Sequence, residues 1–236
     1  MSFLREERGS PAPADATVEL PSVLGGGGGT RPEEMAYLAV VTRLLQPRTI
    51  FEIGTFTGLT TCAFAINAPP DARVITLDLP PDFSTQQLGT SEFIDSDKGL
   101  VEERSLGLYL RRFGLEGRCT QLLCDSMAFD PAPYLGVVEL GFIDGAHALP
   151  FVVNDTEKMA AMLTDRGLVF WHDYGGMGEF GPLTAYLEGL SKRAPLYRVP
   201  FTSLAWTTGR DLKAALLPAR ERQRAAPLRA SETRRV

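Results

Sequence analysis

The chain of 236 residues has two histidines, His147 and His172. Each stands within three residues of an aspartate: Asp144 precedes His147, and Asp173 directly follows His172. An imidazole titrates near neutrality, so beside a bound hydroxyl it can act as a proton acceptor. The same residues offer oxygen donors to a hard divalent cation such as Mg2+, with Asp144 and Asp173 as ligands. Two routes to an activated alcohol are therefore open, a histidine base (His147 or His172, with Asp144 beside it) or a metal-bound alkoxide. A lone histidine near a strand end is usually structural. Both histidines falling beside acids shift the reading towards function.

A second group has the makings of a nucleoside site. Gly54-Thr55-Phe56-Thr57-Gly58 lets the backbone come close to a ligand and aims the positive start of a helix at it. Its G-x-x-x-G spacing leaves the G-x-G-x-x-G nicotinamide fingerprint incomplete. Asp78, 24 residues after Gly54, is placed to hold a ribose diol. Asp125-Ser126 closes a third such segment. Acids at strand ends are common as helix caps, so any one of them proves little. As a set they say more.

These residues must be carried by elements, and the sequence predicts which. Helical spacing of Met35, Leu38, Val41 and Leu45 follows a capping pattern at Thr30-Arg31-Pro32-Glu33, and Gln46-Pro47 stops that helix. Strands are expected over 49–53, 74–78, 119–124, 137–143 and 168–171, with two short ones near Tyr197 and over 202–206. Helices are expected over 59–67, 100–113, 150–164 and 181–192, the third closed by Arg166-Gly167. The central strands are continuous apolar runs, as in a parallel sheet buried on both faces. The expected fold is α/β, a doubly wound, mostly parallel seven-stranded sheet with helices on both faces. Ligands in such sheets bind outside the carboxyl ends of the strands, where these residues fall.

Phe51-Glu52-Ile53-Gly54-Thr55-Phe56-Thr57-Gly58 resembles the first motif of class I S-adenosylmethionine-dependent methyltransferases, which have a Rossmann-like fold. Asp78 matches their ribose-binding acid, and Cys124-Asp125-Ser126 resembles the segment against the adenine. Phe142-Ile143-Asp144-Gly145-Ala146-His147 and Trp171-His172-Asp173-Tyr174 are similar to stretches of a bacterial subgroup akin to O-methyltransferases of sugars and natural products. The resemblance implies a cofactor set of Glu52, Gly54, Thr55, Gly58, Asp78, Asp125, Ser126 and Asp144. It implies a hydroxyl on a small molecule as methyl acceptor. Metal-dependent relatives tend to carry two adjacent acids where this chain has His172-Asp173, which weakens the case for a metal at Asp144 and Asp173. The competing readings are an NAD(P)-dependent oxidoreductase, which lacks its third glycine here, and a non-catalytic nucleoside-binding protein.

Composition sets the outer bounds. Hydrophobic residues make up 44% and charged residues 22%, a globular balance. The net charge of −5 divides into +4 over residues 211–236 and −9 elsewhere, so a nucleic-acid groove is not expected. No apolar run reaches the ~18 residues of a membrane span. Three cysteines without C-x-x-C spacing read as reduced thiols of a cytoplasmic protein. A flexible glycine-proline arm is expected over 1–30, a catalytic domain over 31–210 and a basic tail over 211–236. The long irregular stretch 80–98 is expected to be a lid, an acceptor-binding loop or a surface insertion. A homo-oligomer is left open.

Overall fold

The computed structural model describes residues 17–21, 29–83, 94–103 and 105–216. In chain order the elements are α1 (Pro32–Leu45), β1 (Thr49–Ile53), α2 (Leu59–Asn67), β2 (Arg73–Asp78), α3 (Asp95–Glu103), α4 (Leu108–Arg112) and β3 (Cys119–Leu123). There follow β4 (Val138–Ile143), α5 (Leu149–Met162), β5 (Leu163–Trp171), α6 (Gly181–Ser191), β6 (Tyr197–Arg198), β7 (Ala205–Thr208) and α7 (Gly209–Leu216). One seven-stranded sheet has the order β3-β2-β1-β4-β5-β7-β6. Its first five strands are parallel, and β7 runs antiparallel to both β5 and β6. The expected doubly wound, seven-stranded α/β fold is what the chain adopts.

Alternation along the strands divides the core into two layers. Phe51, Ile53, Ile75, Leu77, Val169 and Trp171 face one side, packing with Val152 and Met159 of α5, Leu187 of α6 and Leu212 of α7. Ile50, Val74, Leu140, Phe142 and Phe170 face the other, against Leu38 and Val41 of α1 and Phe64 of α2. Both faces of each central strand are therefore covered, which is why those strands read as unbroken apolar runs.

Several boundaries differ from the sequence expectation. The α1 cap is Arg31 rather than Thr30, with Glu34 rather than Glu33 completing the box. The helix expected over 100–113 is two, α3 and α4, broken before Gly107 (φ 64). Arg166-Gly167 does not close a helix: α5 stops at Met162 and β5 already begins at Leu163. Gly167 serves instead at a close strand contact, where a Cβ would come within 2.8 Å of the Val138 carbonyl oxygen. Folded structure continues past residue 210, because Leu212 and Ala215 of α7 are buried in the core. Within the expected arm, residue Glu19 exchanges hydrogen bonds with Asn67 of α2 (3.0 and 2.7 Å). Most of the arm, the glycine run over 25–28, positions 84–93 and the tail from 217 lie outside the described residues. Cys62, Cys119 and Cys124 form no disulfide. No helix among the described residues is long and apolar enough to cross a membrane.

The strand order reverses between β1 and β4, and there the two backbones touch. The Asp144 N–H donates to the Ile53 carbonyl (2.8 Å), while on the other side of β1 the Gly54 N–H donates to the Leu77 carbonyl of β2 (2.8 Å). Gly54 has φ +102, and a Cβ on it would fall onto the carbonyl oxygen of Asp144. Neither feature tolerates a side chain. Gly54→Ala is expected to destabilise the protein by about 3 kcal/mol or more, seen as a lowered urea midpoint. A midpoint equal to that of the unaltered chain would refute the close contact.

Candidate active site

Above the β1–β4 reversal lies a cleft of about 300 Å³ at the carboxyl ends of the parallel strands. One half is lined by Gly54, Asp78, Asp125 and Ser126. Asp78, ending β2, accepts the Phe56 N–H on Oδ2 and the Leu79 N–H on Oδ1, both at 2.7 Å. These bonds fix the carboxylate beside the glycine turn. Asp125 accepts the Met127 N–H (2.9 Å), making a tight turn after β3. The Ser126 carbonyl is held by Lys158 Nζ (2.6 Å) and Asn154 Nδ2 (3.1 Å), both on α5. Helix α5 thereby clamps the segment after β3.

The other half holds both histidines. Asp144 and His147 follow β4, and His172 and Asp173 follow β5, the neighbouring strand, so all four meet at one corner. His172 Nδ1 lies 2.9 Å from Asp173 Oδ2 and 3.2 Å from Asp144 Oδ1, while its Nε2 lies 2.9 Å from Glu34 Oε2 on α1. His147 Nδ1 lies 2.7 Å from Asp97 Oδ1 on α3, and Asp97 Oδ2 accepts the His147 backbone N–H at 2.8 Å. His147 Nε2 is 2.9 Å from Asp173 Oδ2 yet makes no well-directed hydrogen bond. Phe180 stands edge-on to that ring at 5.0 Å.

Charge pairing dominates this corner. Burial alone would lower the His147 pKa, but the close pairing with Asp173, then Asp97 and Asp144, raises it to about 10. For His172 burial is likewise outweighed, first by the Asp144 charge and bond, then by Asp173 and Glu34, and the ring is held well above the usual histidine range. Burial would raise the Asp173 carboxyl, but both imidazoles hold it well below the usual carboxylate range. The surrounding acids thus favour the protonated form of both rings.

The methyltransferase domain family matches residues 51–174, more than half of the chain. The chain belongs to this methyltransferase family. No curated protein matches it in sequence. Solved structures with the same fold include the S-adenosylhomocysteine-bound methyltransferase PaMTH1 of Podospora anserina. It is 13% identical, with 75% of this chain and 78% of that one covered and a TM-score of 0.55. The O-methyltransferase TomG of Streptomyces achromogenes, in complex with S-adenosylmethionine, is 17% identical over 75% and 80% of the two chains (TM-score 0.53). The calicheamicin methyltransferase CalS11 is 19% identical over 75% and 80% (TM-score 0.53). These likenesses support the class I S-adenosylmethionine-dependent methyltransferase fold.

In this methyltransferase the cleft brings together most of the residues singled out by sequence, but Glu52, Thr55 and Gly58 do not line it. Glu52 is wholly buried and accepts hydrogen bonds from Thr61 and Thr76 (2.7 Å for Thr76). Thr55 bonds Thr76 (2.6 Å), and Gly58, at φ +81, caps α2. The alternation of β1 explains Glu52: it faces the same layer as Ile50, towards α2, not over the sheet edge. Sequence reasoning missed Glu34, Asp97 and Phe180. The capping pattern read from the sequence ends at Glu33, the neighbour of Glu34, and nothing in the sequence ties Asp97 to His147.

Burial pushes the Glu52 carboxyl up to about 8, with the bonds from Thr61 and Thr76 opposing and the charges of Asp144 and Asp78 adding to the rise. An acid with a raised folded pKa favours folding while protonated, so its contribution falls as pH rises from about 4.5 to 8. Glu52→Gln removes that fall. Its melting temperature is expected to gain on the unaltered protein steadily across that window, with S-adenosylhomocysteine affinity retained. A constant difference across the window would contradict a neutral buried Glu52, and loss of affinity would return it to the cofactor site.

Proposed function

We propose that the methyltransferase moves the methyl group of S-adenosylmethionine to a hydroxyl of a small molecule, a sugar or a natural product. The reading is supported chiefly by the division of one cleft into a nucleoside half and an ion-paired half. Gly54, Asp78, Asp125 and Ser126 would hold the cofactor, with Asp78 on the ribose and Asp125-Ser126 at the adenine edge. Asp144 stands at the junction, where it would face the sulfonium. The acceptor oxygen attacks the methyl carbon as the carbon–sulfur bond breaks, the sulfur keeps the electron pair, and the acceptor proton passes to the protein.

The two histidines differ in how they are held. Both nitrogens of His172 are engaged, by Glu34 on one side and Asp173 and Asp144 on the other. His147 Nε2 lies on the cleft side, 2.9 Å from Asp173 Oδ2 but without a well-directed bond to it. His147 is therefore the proposed base, taking the acceptor proton in its neutral form, and His172 an orienting group. Asp144, His147 and Asp173 also suit a divalent cation, because their donor atoms lie within 4.8 Å of one another. A cation held there would polarise the acceptor hydroxyl as a Lewis acid. The aspartate-lined cleft has no lysine or arginine among its described lining residues, which supports a small-molecule acceptor over nucleic acid. The natural-product setting of TomG and CalS11 points the same way.

S-adenosylhomocysteine is expected to raise the melting temperature while NAD and NADP leave it unchanged. A shift with NAD(P) alone would favour the oxidoreductase reading. A panel of hydroxylated natural products, read by mass spectrometry, should show a 14 Da gain on one class. With that acceptor, His147→Ala is expected to lose on the order of a hundredfold in kcat while keeping S-adenosylhomocysteine affinity. Unchanged kcat would remove His147 as the base. EDTA followed by Mg2+ add-back tests the cation: turnover unaffected by both would remove Asp144 and Asp173 as ligands.

A further inference from the structure

We propose that Glu34, on the first helix, is a positioning residue of the methyl-transfer site, fixing the ring of His172 and through it the carboxylates of Asp144 and Asp173. Glu34 is 138 residues from His172 in sequence and has no solvent exposure. Its Oε2 accepts the Arg31 backbone N–H (3.0 Å) and His172 Nε2–H (2.9 Å). Its Oε1 accepts Arg31 Nη2 (2.6 Å), the Ser203 N–H (2.7 Å) and the Ser203 hydroxyl (2.8 Å). Burial would raise this carboxyl, but the bonds from His172, Arg31 and Ser203 hold it well below the usual carboxylate range.

Capping does not account for this arrangement. A capping box needs one bond from Glu34 back to the Arg31 N–H, and α1 docks through Leu38, Val41 and Leu45. The remaining bonds lead towards the cleft by two paths. An imidazole is rigid, so tying Nε2 to Glu34 fixes where Nδ1 points, and it points between Asp173 Oδ2 and Asp144 Oδ1. The second path runs through Ser203, whose carbonyl accepts the Tyr174 N–H (2.9 Å) next to Asp173. Asp173 has φ +58, a left-handed backbone that a non-glycine residue keeps only when its surroundings hold it there. Glu34 touches both paths, and removing it frees the ring and loosens the turn that bears Asp173.

The functional half of the proposal rests on the methyl-transfer reading; the structural half does not. The test uses full-length protein labelled with 15N-histidine, comparing the unaltered chain, Glu34→Gln and Val41→Ala. Val41→Ala loosens α1 without touching Glu34. Glu34→Gln is expected to move the His172 ring-nitrogen resonances and, on the acceptor found in the panel, to lower kcat ten- to a hundredfold, on the order seen when outer groups stop orienting a site. The KM for S-adenosylmethionine should stay within about twofold. Val41→Ala should lower the melting temperature yet leave the His172 signals and kcat in place. Folded Glu34→Gln with unaltered His172 signals, or with unaltered kcat, would overturn the proposal. If Glu34→Gln fails to fold, Glu34→Asp, which shortens the reach to His172, is read by the same criteria. Failure of the unaltered protein to bind S-adenosylhomocysteine would sink the methyltransferase reading alone, because the ring signals can be recorded without ligand.

Discussion

The backbone contact between Gly54 and Asp144 is the constraint on which the site depends. Parallel strands β1 and β4 lie side by side at the point where the winding of the sheet reverses, so the loops that follow them diverge to opposite sides and leave a crevice. Only a residue without a side chain permits the β1 loop to come so near the Asp144 carbonyl. That approach sets the floor of the cleft and fixes the distance between its halves, with Asp78 on one side and the Asp144–His147–Asp173 corner on the other. A cationic sulfonium bound over the floor would have Asp144 as its neighbour, and the acceptor would meet it from the histidine side.

Charges at that corner are arranged in a chain of alternating sign. Arg31, Glu34, His172, Asp173, His147 and Asp97 follow one another through contacts of 2.6 to 2.9 Å. A buried carboxylate or imidazolium alone would be costly, and each member of the chain is tolerated because of its neighbours. The consequence is rigidity. The elements contributing to the chain, α1, α3 and the loops after β4 and β5, are far apart in sequence and are joined at one place. A site that must hold an acceptor in line with a methyl group gains from such fixed partners more than from mobile ones.

Much of this was legible in the sequence for physical reasons that can be named. Apolar strands ending in acids announced a parallel sheet and located its functional edge, and both histidines fell on adjacent strand ends. What was not legible depends on contacts that no local pattern encodes. The sequence places the capping acid at Glu33, one residue before Glu34, which completes the box; the bond of Glu34 to His172 arises only when the sheet is assembled. Asp97 sits in an acid-rich stretch with no period, and its attachment to His147 is a matter of how α3 folds back over the cleft. The resemblance implies a cofactor contact at Glu52, whereas strand alternation turns its side chain towards Thr61 of α2, outside the cleft lining. Gly167 looked like a helix terminus, but the close passage of the Val138 carbonyl is what selects a glycine there.

A crystal structure of the protein with S-adenosylhomocysteine is the most direct test of how the cleft is divided. The ribose hydroxyls should lie on Asp78, the adenine against Asp125-Ser126, and the sulfur should face Asp144 with His147 and Asp173 beyond it. A nucleoside bound elsewhere, or reversed so that the adenine lies among the histidines, would contradict the assignment of both halves.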